Sequence, residues 1–119
     1  MAASAFNLGR GKLKLADKQD IKDTVGGNGT KTLAYTPPYS GFLVVIADGE
    51  SARHSGINLN HNGDPVEADR VYNLSEDVNT HSSNYYGFYV KAGDEIKVSY
   101  TNASGYSNRH LLLMARLYK

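Results

Sequence analysis

The hydrophobic and polar residues of this chain alternate over short runs, without the spacing of an amphipathic helix. In the run Ile96-Lys97-Val98-Ser99-Tyr100 every second side chain is apolar, which predicts a strand with one solvated face. Further short patterns of this kind predict strands over residues 12–15, 31–36, 57–60 and 66–72. Asn62-Gly63 is typical of a tight hairpin turn, and Gly93-Asp94 is typical of a tight turn that joins two strands. The patterns therefore predict an all-β chain of about eight to ten short strands.

Three segments do not alternate, because they are apolar at consecutive positions: residues 42–47, 85–90 and 111–118. The last one would also suit a helix by propensity, but its place at the end of an all-β chain favours a strand. A strand with two apolar faces must be covered on both of them. If the three segments share a sheet, the domain core covers one face. The other is covered by a second copy of the chain or by the N-terminal segment, and the few apolar residues in that segment favour a second copy.

The length of 119 residues predicts one domain. Residues 1–30 are predicted to form an extended N-terminal arm, and residues 31–119 the folded domain. Within the arm, the charged run 17–23 is predicted to be a helical turn or a loop. Polar stretches predict loops over residues 48–56, 74–84 and 101–108.

Charge and composition exclude several classes of function. The formal net charge of +1 gives no basic field for nucleic acid or an anionic membrane. The chain has no cysteine, which excludes a disulfide scaffold, a thiolate metal site and a Cys nucleophile. No apolar h-region stands at the N-terminus and no run approaches a membrane span, so we expect synthesis in a cytoplasm without a leader.

The residues that could form a catalytic or metal-binding site lack the sequence spacing that such sites require. No two of the four histidines (His54, His61, His81 and His110) have the spacing of a ligand pair. The acidic residues Asp64, Glu67 and Asp69 lack the pattern of a calcium loop and are predicted to be a solvated cluster. No Gly-x-Ser-x-Gly nucleophile elbow and no phosphate-binding Gly-rich loop before a helix is present. We therefore expect no enzymatic activity, no catalytic residues, no metal and no cofactor.

Three stretches resemble the C1q/TNF-like family of trimeric jelly rolls. They are Thr-Pro-Pro-Tyr-Ser-Gly-Phe-Leu-Val-Val at 36–45, the strand, Asn-Gly, strand element at 57–66, and Tyr-Val-Lys-Ala-Gly-Asp-Glu-Ile-Lys-Val at 89–98. The resemblance covers residues 31–119 and implies a two-sheet antiparallel jelly-roll sandwich. It also implies a homotrimer in which the three doubly apolar segments line the sheet at the threefold axis. The family's collagen-like or coiled-coil stalk and its disulfide have no counterpart here.

The double-faced pattern and the resemblance together predict two sets of functional residues. The predicted trimer interface consists of apolar side chains from the three segments, namely Phe42, Val44, Tyr86, Phe88, Leu111, Leu113 and Leu117. Polar loops suit contact with sugar hydroxyls, and their candidate ligand-contacting residues are Arg53, His54, His81, Asn84, Tyr106 and Asn108.

These features favour a non-enzymatic, trimeric structural protein on the surface of a virus particle, a phage, where it decorates or cements the capsid. Its expected partners are its own copies and viral capsid or fibre proteins, with no nucleic acid and no membrane. One alternative is the receptor-binding tip of a phage tail or head fibre that recognises a host surface glycan. A second alternative is a secreted C1q/TNF-like binding module. The expected location is the virion surface, after synthesis in the host cytoplasm.

Overall fold

The computed structural model describes residues 13–25, 29–52, 56–73, 79–102 and 109–119. Over these residues the chain is all-β and forms two antiparallel sheets, which confirms the predicted fold class at that level. The strands are β1 (Leu15–Val25), β2 (Gly29–Tyr35), β3 (Gly41–Ala52), β4 (Gly56–His61), β5 (Asp64–Val66), β6 (Arg70–Asn73), β7 (Asn79–Val90), β8 (Ile96–Asn102) and β9 (Arg109–Tyr118).

The two sheets have the strand orders β1-β9-β3-β7-β6 and β2-β8-β4-β5. The three doubly apolar segments lie in β9, β3 and β7, which are neighbours in the five-stranded sheet. The alternating run that begins at Ile96 lies in β8 of the four-stranded sheet. The shared sheet of the three segments and the C-terminal strand are therefore confirmed.

The core lies between the sheets and is built from every second residue of the facing strands. In β9 it takes Leu111, Leu113, Ala115 and Leu117, each of them fully buried. These face Leu33, Tyr35, Leu59, Ile96, Val98 and Tyr100 of the four-stranded sheet, all buried to 5% exposure or less. Fully burying one Leu side chain contributes about 1.5–3 kcal/mol to stability. If the pairing register of β9 shifted by one residue, all four of its buried side chains would point to the other face of the sheet. The register of β9 is therefore strongly determined.

Two predicted turns are confirmed by their backbone conformation. Asn62 (φ 50°) and Gly63 (φ 87°) both have positive φ, as the tight hairpin turn between β4 and β5 requires. Gly93 (φ 87°) takes the same conformation in the turn between β7 and β8.

The prediction of a helical turn or loop over residues 17–23 is wrong. These residues belong to β1, which pairs with β9 along its length as an edge strand. Ile21 packs against the core, and the ladder with β9 satisfies backbone groups whatever the side chains are. Charged side chains such as Lys18 and Lys22 are common on edge strands, where they discourage pairing with another chain. The sandwich therefore begins before residue 31, and residues 1–12 of the predicted arm lie outside the described residues.

All three predicted loops are partly strand, since β4 begins at Gly56 and β8 continues through Asn102. Strand β3 continues through Ala52 and pairs there with residues 79–84 of β7. The Ser83 hydroxyl donates a hydrogen bond of 2.6 Å to Asp48 Oδ1 across this extension. Polar side chains on the outer side of a ladder do not interrupt it, and this is why their composition misled the prediction. The rest of the predicted loops, residues 53–55, 74–78 and 103–108, lies outside the described residues.

Candidate functional site

The five-stranded sheet carries an apolar surface on the side that points away from the four-stranded sheet. Directly opposed residues of antiparallel strands share a face, so the register of β7, β3 and β9 identifies its members. We call this surface the outer face, and its apolar members are Phe42, Val44, Ile46, Tyr85, Tyr89, Leu112, Met114 and Tyr118. Arg116 lies among them, opposite Val44. Strand β3 is the middle strand of the sheet, so the outer face is continuous across three neighbouring strands.

Aromatic packing shapes one end of the outer face. The rings of Phe42 and Tyr89 meet edge to face with centroids 5.0 Å apart. Phe42 is 7% exposed, whereas Tyr89 is 61% exposed and projects from the sheet. Gly87 makes room for this arrangement, because a Cβ there would lie 3.1 Å from Phe42 Cζ. Tyr89 is therefore an aromatic ring on the surface that already packs against a firm apolar base.

Charged groups lie on the outer face and beside it. Arg116 donates two hydrogen bonds to Asp20, of 2.7 Å to Oδ1 and 3.3 Å to Oδ2. These hydrogen bonds hold the pKa of Asp20 below its usual value. At the end of the sheet, the Lys119 ammonium lies 3.9 Å from the centroid of the Tyr39 ring. Arginine is enriched at protein–protein interfaces, so one Arg within an otherwise apolar face suits that role.

The predicted interface residues fall on both faces of the sheet. Phe42 and Val44 lie on the outer face. Tyr86 is 3% exposed, and Leu111, Leu113 and Leu117 are fully buried between the sheets. Phe88 also points inward, where it packs against the core with its ring 5.1 Å from that of His61. Four of these side chains have almost no accessible surface for a second chain to touch, and Phe88 is partly buried on the same inward face. The face assignment therefore needs correction for all five.

The predicted ligand-contacting residues are only partly described. Arg53, His54, Tyr106 and Asn108 lie outside the described residues. His81 belongs to β7, but its side chain is not among those described. Asn84 was placed in a loop, yet it lies in β7 and is 8% exposed. Its alternation with Tyr86, Phe88 and Val90 is visible in the sequence and would have placed it in the strand, on the same face as those residues.

A second cluster joins two turns at the end of the sandwich. Asp94 accepts hydrogen bonds from the Lys91 N–H (2.8 Å) and from Asn62 Nδ2 (3.2 Å), and its Oδ2 lies 2.8 Å from His61 Nε2. The Lys91 N–H first, then His61 and Asn62, lower the pKa of Asp94 to about 2. A cavity of about 420 Å³ lies beside the cluster, and Tyr89 also lines it. The Asp94 oxygens contact donors from both turns, so we interpret the cluster as a structural contact that holds the two turns together.

Metal ligands do not assemble in the part of the chain that the structure describes. Among those residues, no three His, Asp or Glu side chains come close enough to hold an ion. The predicted acidic set Asp64, Glu67 and Asp69 does not form such a group. The described residues also contain no helix long and apolar enough to cross a membrane.

No protein-family model matches this chain, and no curated protein shows significant sequence similarity to it.

Proposed function

We propose that the chain is a non-enzymatic subunit that forms a homotrimer through its outer face and serves as a structural protein on the surface of a virus particle. The observation that carries the proposal is the continuous apolar surface across β7, β3 and β9. Apolar patches of this kind on a single subunit usually mark an interaction site. Self-association is the simplest way to cover it, since every copy carries the same surface.

The strand order supports a jelly roll as the finer fold class. Strands β1 and β3 lie in one sheet and β2 and β4 in the other, so successive strands cross from sheet to sheet. Among the described strands, only β4 with β5 and β6 with β7 pair directly with their neighbours in the chain. Alternate crossing of this type is typical of double-sheet jelly rolls. In the family that the sequence resembles, the sheet corresponding to β9, β3 and β7 faces the threefold axis.

The placement of carboxylates favours a structural role over catalysis. Asp94 holds two turns, Asp20 pairs with Arg116, and Asp48 accepts the Ser83 hydroxyl. Asp17, on the inward face of β1, accepts a hydrogen bond of 2.7 Å from the Tyr35 hydroxyl. Each of these groups is engaged within the subunit, so its position is explained by stability alone.

The interface is tested by placing a charge at its centre and at its most exposed point. Ile46→Asp and Tyr89→Asp should each convert the trimer to a monomer in sedimentation velocity, because association would bury an unpaired carboxylate. The matched control is Ala34→Asp, an exposed position on the solvent side of β2. It should leave the trimer intact. If both outer-face variants sediment as wild type while circular dichroism shows that they fold, the proposed interface is wrong.

The particle role needs a separate experiment. Immunogold electron microscopy of virus particles from the producing host, with antibody against this chain, should label the capsid shell. Label confined to fibre tips would overturn capsid decoration in favour of a receptor-binding tip. Particles without label, with the chain found free in the medium, would favour the secreted binding module.

A further inference from the structure

A second cavity lies between the two sheets, on the side where β4 and β5 face β6 and β7. Its volume is about 320 Å³. A cavity of about 150 Å³ suffices for a benzene ring, so one monocyclic molecule fits here. The walls come from both sheets, and the exposed residues Asn58 and Glu67 contribute to them. The other lining residues outside the buried polar pair are apolar, namely Ile57, Leu59, Pro65, Val66, Ala68 and Val71.

Two buried polar side chains also line this cavity. Asn84 is 8% exposed and Tyr86 is 3% exposed. Asn84 Nδ2 donates a hydrogen bond of 3.2 Å to the Tyr86 hydroxyl oxygen and a longer one of 3.4 Å to the Ile57 carbonyl. These contacts determine which way the Asn84 amide points. Asn84 Oδ1 and the Tyr86 hydroxyl proton then have no hydrogen-bond partner among the described residues.

This pair defines the chemistry of a complementary ligand. Asn84 Oδ1 offers an acceptor and Tyr86 offers a donor, because burial raises the pKa of Tyr86 and keeps its proton in place. A hydroxyl group is at once a donor and an acceptor, so one oxygen atom satisfies both. A carboxylate has no proton to donate and an ammonium has no lone pair to accept with, so neither does so. Unpaired polar groups in an apolar wall discriminate strongly against ligands that leave them unpaired.

We propose that this cavity binds a small uncharged compound that has one hydroxyl group on a compact apolar body, of the phenol or cyclic-alcohol class. The hydroxyl donates to Asn84 Oδ1 and accepts from the Tyr86 O–H, while the apolar body contacts Ile57, Val66 and Ala68. The site is independent of the proposed trimer, because Asn84 and Tyr86 point between the sheets and the outer face points away from them.

Phenol and toluene are matched probes, since they share the ring and differ in the hydroxyl. In ¹H–¹⁵N NMR titrations of the full chain, phenol should produce saturable shifts at the amides of Ile57, Val66 and Val71. Toluene should bind about tenfold more weakly, the effect of one net hydrogen bond. Tyr86→Phe removes the donor and keeps the ring, so it should abolish most of the preference for phenol. Tyr85→Phe, the neighbouring position on the outer face, should retain it.

A third variant keeps the test decisive if Tyr86→Phe does not fold. Ala68→Leu fills the cavity without touching the polar pair, so it should weaken phenol and toluene alike. Equal affinity of the two probes for the wild type would overturn the proposal, as would shifts confined to other parts of the chain. A preference for phenol that survives in folded Tyr86→Phe would also overturn it.

Discussion

His61 Nε2 lies 2.8 Å from Asp94 Oδ2, and this contact joins the hairpin turn after β4 to the turn before β8. The two turns are far apart in the sequence but are held together by further hydrogen bonds. The Glu95 N–H donates to Asn62 Oδ1 (2.7 Å), and the Asn62 N–H donates to the Glu95 carbonyl (2.8 Å). Asp94 has a side-chain exposure of 14%, and its contact with His61 is partly buried.

The carboxylate of Asp94 should make the free energy of unfolding depend on pH in the acidic range. Its pKa falls from the usual 3.8 to about 2 in the folded chain, chiefly because the Lys91 N–H and His61 donate to the ionised form. Because the pKa of Asp94 is lower in the folded chain than in the unfolded chain, the carboxylate stabilises the fold, and this contribution is complete at a pH above the unfolded-state pKa. That contribution is lost as the pH falls from about 4 to about 2. Chemical denaturation of wild type and Asp94→Asn should therefore differ most above pH 4 and converge near pH 2.

A carboxylate in the β4–β5 hairpin, which Asp94 contacts, separates this effect from a general change in surface charge. Asp64→Asn, at an exposed position of β5, should leave most of the acid dependence between pH 4 and pH 2 in place. If Asp94→Asn has the same pH profile as wild type, Asp94 does not lock the turns.

Neighbouring leucines of β9 should respond in opposite ways to truncation. Leu113 is fully buried in the core, so Leu113→Ala should lower the free energy of unfolding by about 2–5 kcal/mol. Leu112 lies on the outer face and is half-buried, so Leu112→Ala should cost the subunit less and weaken self-association instead. Urea denaturation and sedimentation velocity on both variants measure the two effects. If Leu112→Ala destabilised the subunit more than Leu113→Ala does, then Leu112 and not Leu113 would face the core, which would contradict the assigned faces of β9.

Removal of the Tyr35 hydroxyl should loosen β1. Tyr35 is 1% exposed and donates a hydrogen bond of 2.7 Å to Asp17 across the two sheets. Tyr35→Phe keeps the ring but takes a donor from a carboxylate, which should cost about 1.5–3 kcal/mol. Amide hydrogen exchange should accelerate in β1 more than in β3. Uniform acceleration throughout the sandwich would show that this bond does not specifically hold the edge strand.

Gly41 should tolerate no side chain. A Cβ built there would overlap the backbone oxygen of Tyr118, which cannot rotate away. Gly41→Ala should therefore lower the free energy of unfolding by about 2 kcal/mol, as overpacking generally does. Gly87→Ala is the matched control, because its Cβ would meet the ring of Phe42 at 3.1 Å and the ring can shift. Thermal unfolding should show a smaller loss for Gly87→Ala, and the reverse order would contradict this description of the strand ends.

The sequence predicted the sheets better than it predicted their faces. The alternation in β8 was sufficient to predict a strand and its buried face, and the Asn62-Gly63 pair was sufficient to predict a hairpin turn, because each pattern fits one local structure. In β9 both parities are apolar, so periodicity could not decide whether Leu111 or Leu112 faces the core. The inward set became identifiable only from the pairing of β9 with β3 and its packing against the other sheet.

The elements that the sequence did not predict are stabilised by pairing with strands that are distant in the sequence. Residues 17–23 have little apolar character, and β1 exists because the edge of β9 offers it a ladder. Asn84 was assigned to a loop by composition, although its position in β7 places it beside Tyr86 in the wall of a cavity. A local pattern contains no information on pairing across some ninety residues of sequence, and that distance separates β1 from β9.

The claim that the outer face joins copies of the chain is tested most directly by the mass of the wild-type protein in solution. Sedimentation equilibrium over a range of micromolar concentrations should give three times the chain mass of 13.0 kDa. A mass of 13.0 kDa at every concentration would contradict the account, because the apolar surface of β7, β3 and β9 would then face water in the isolated subunit.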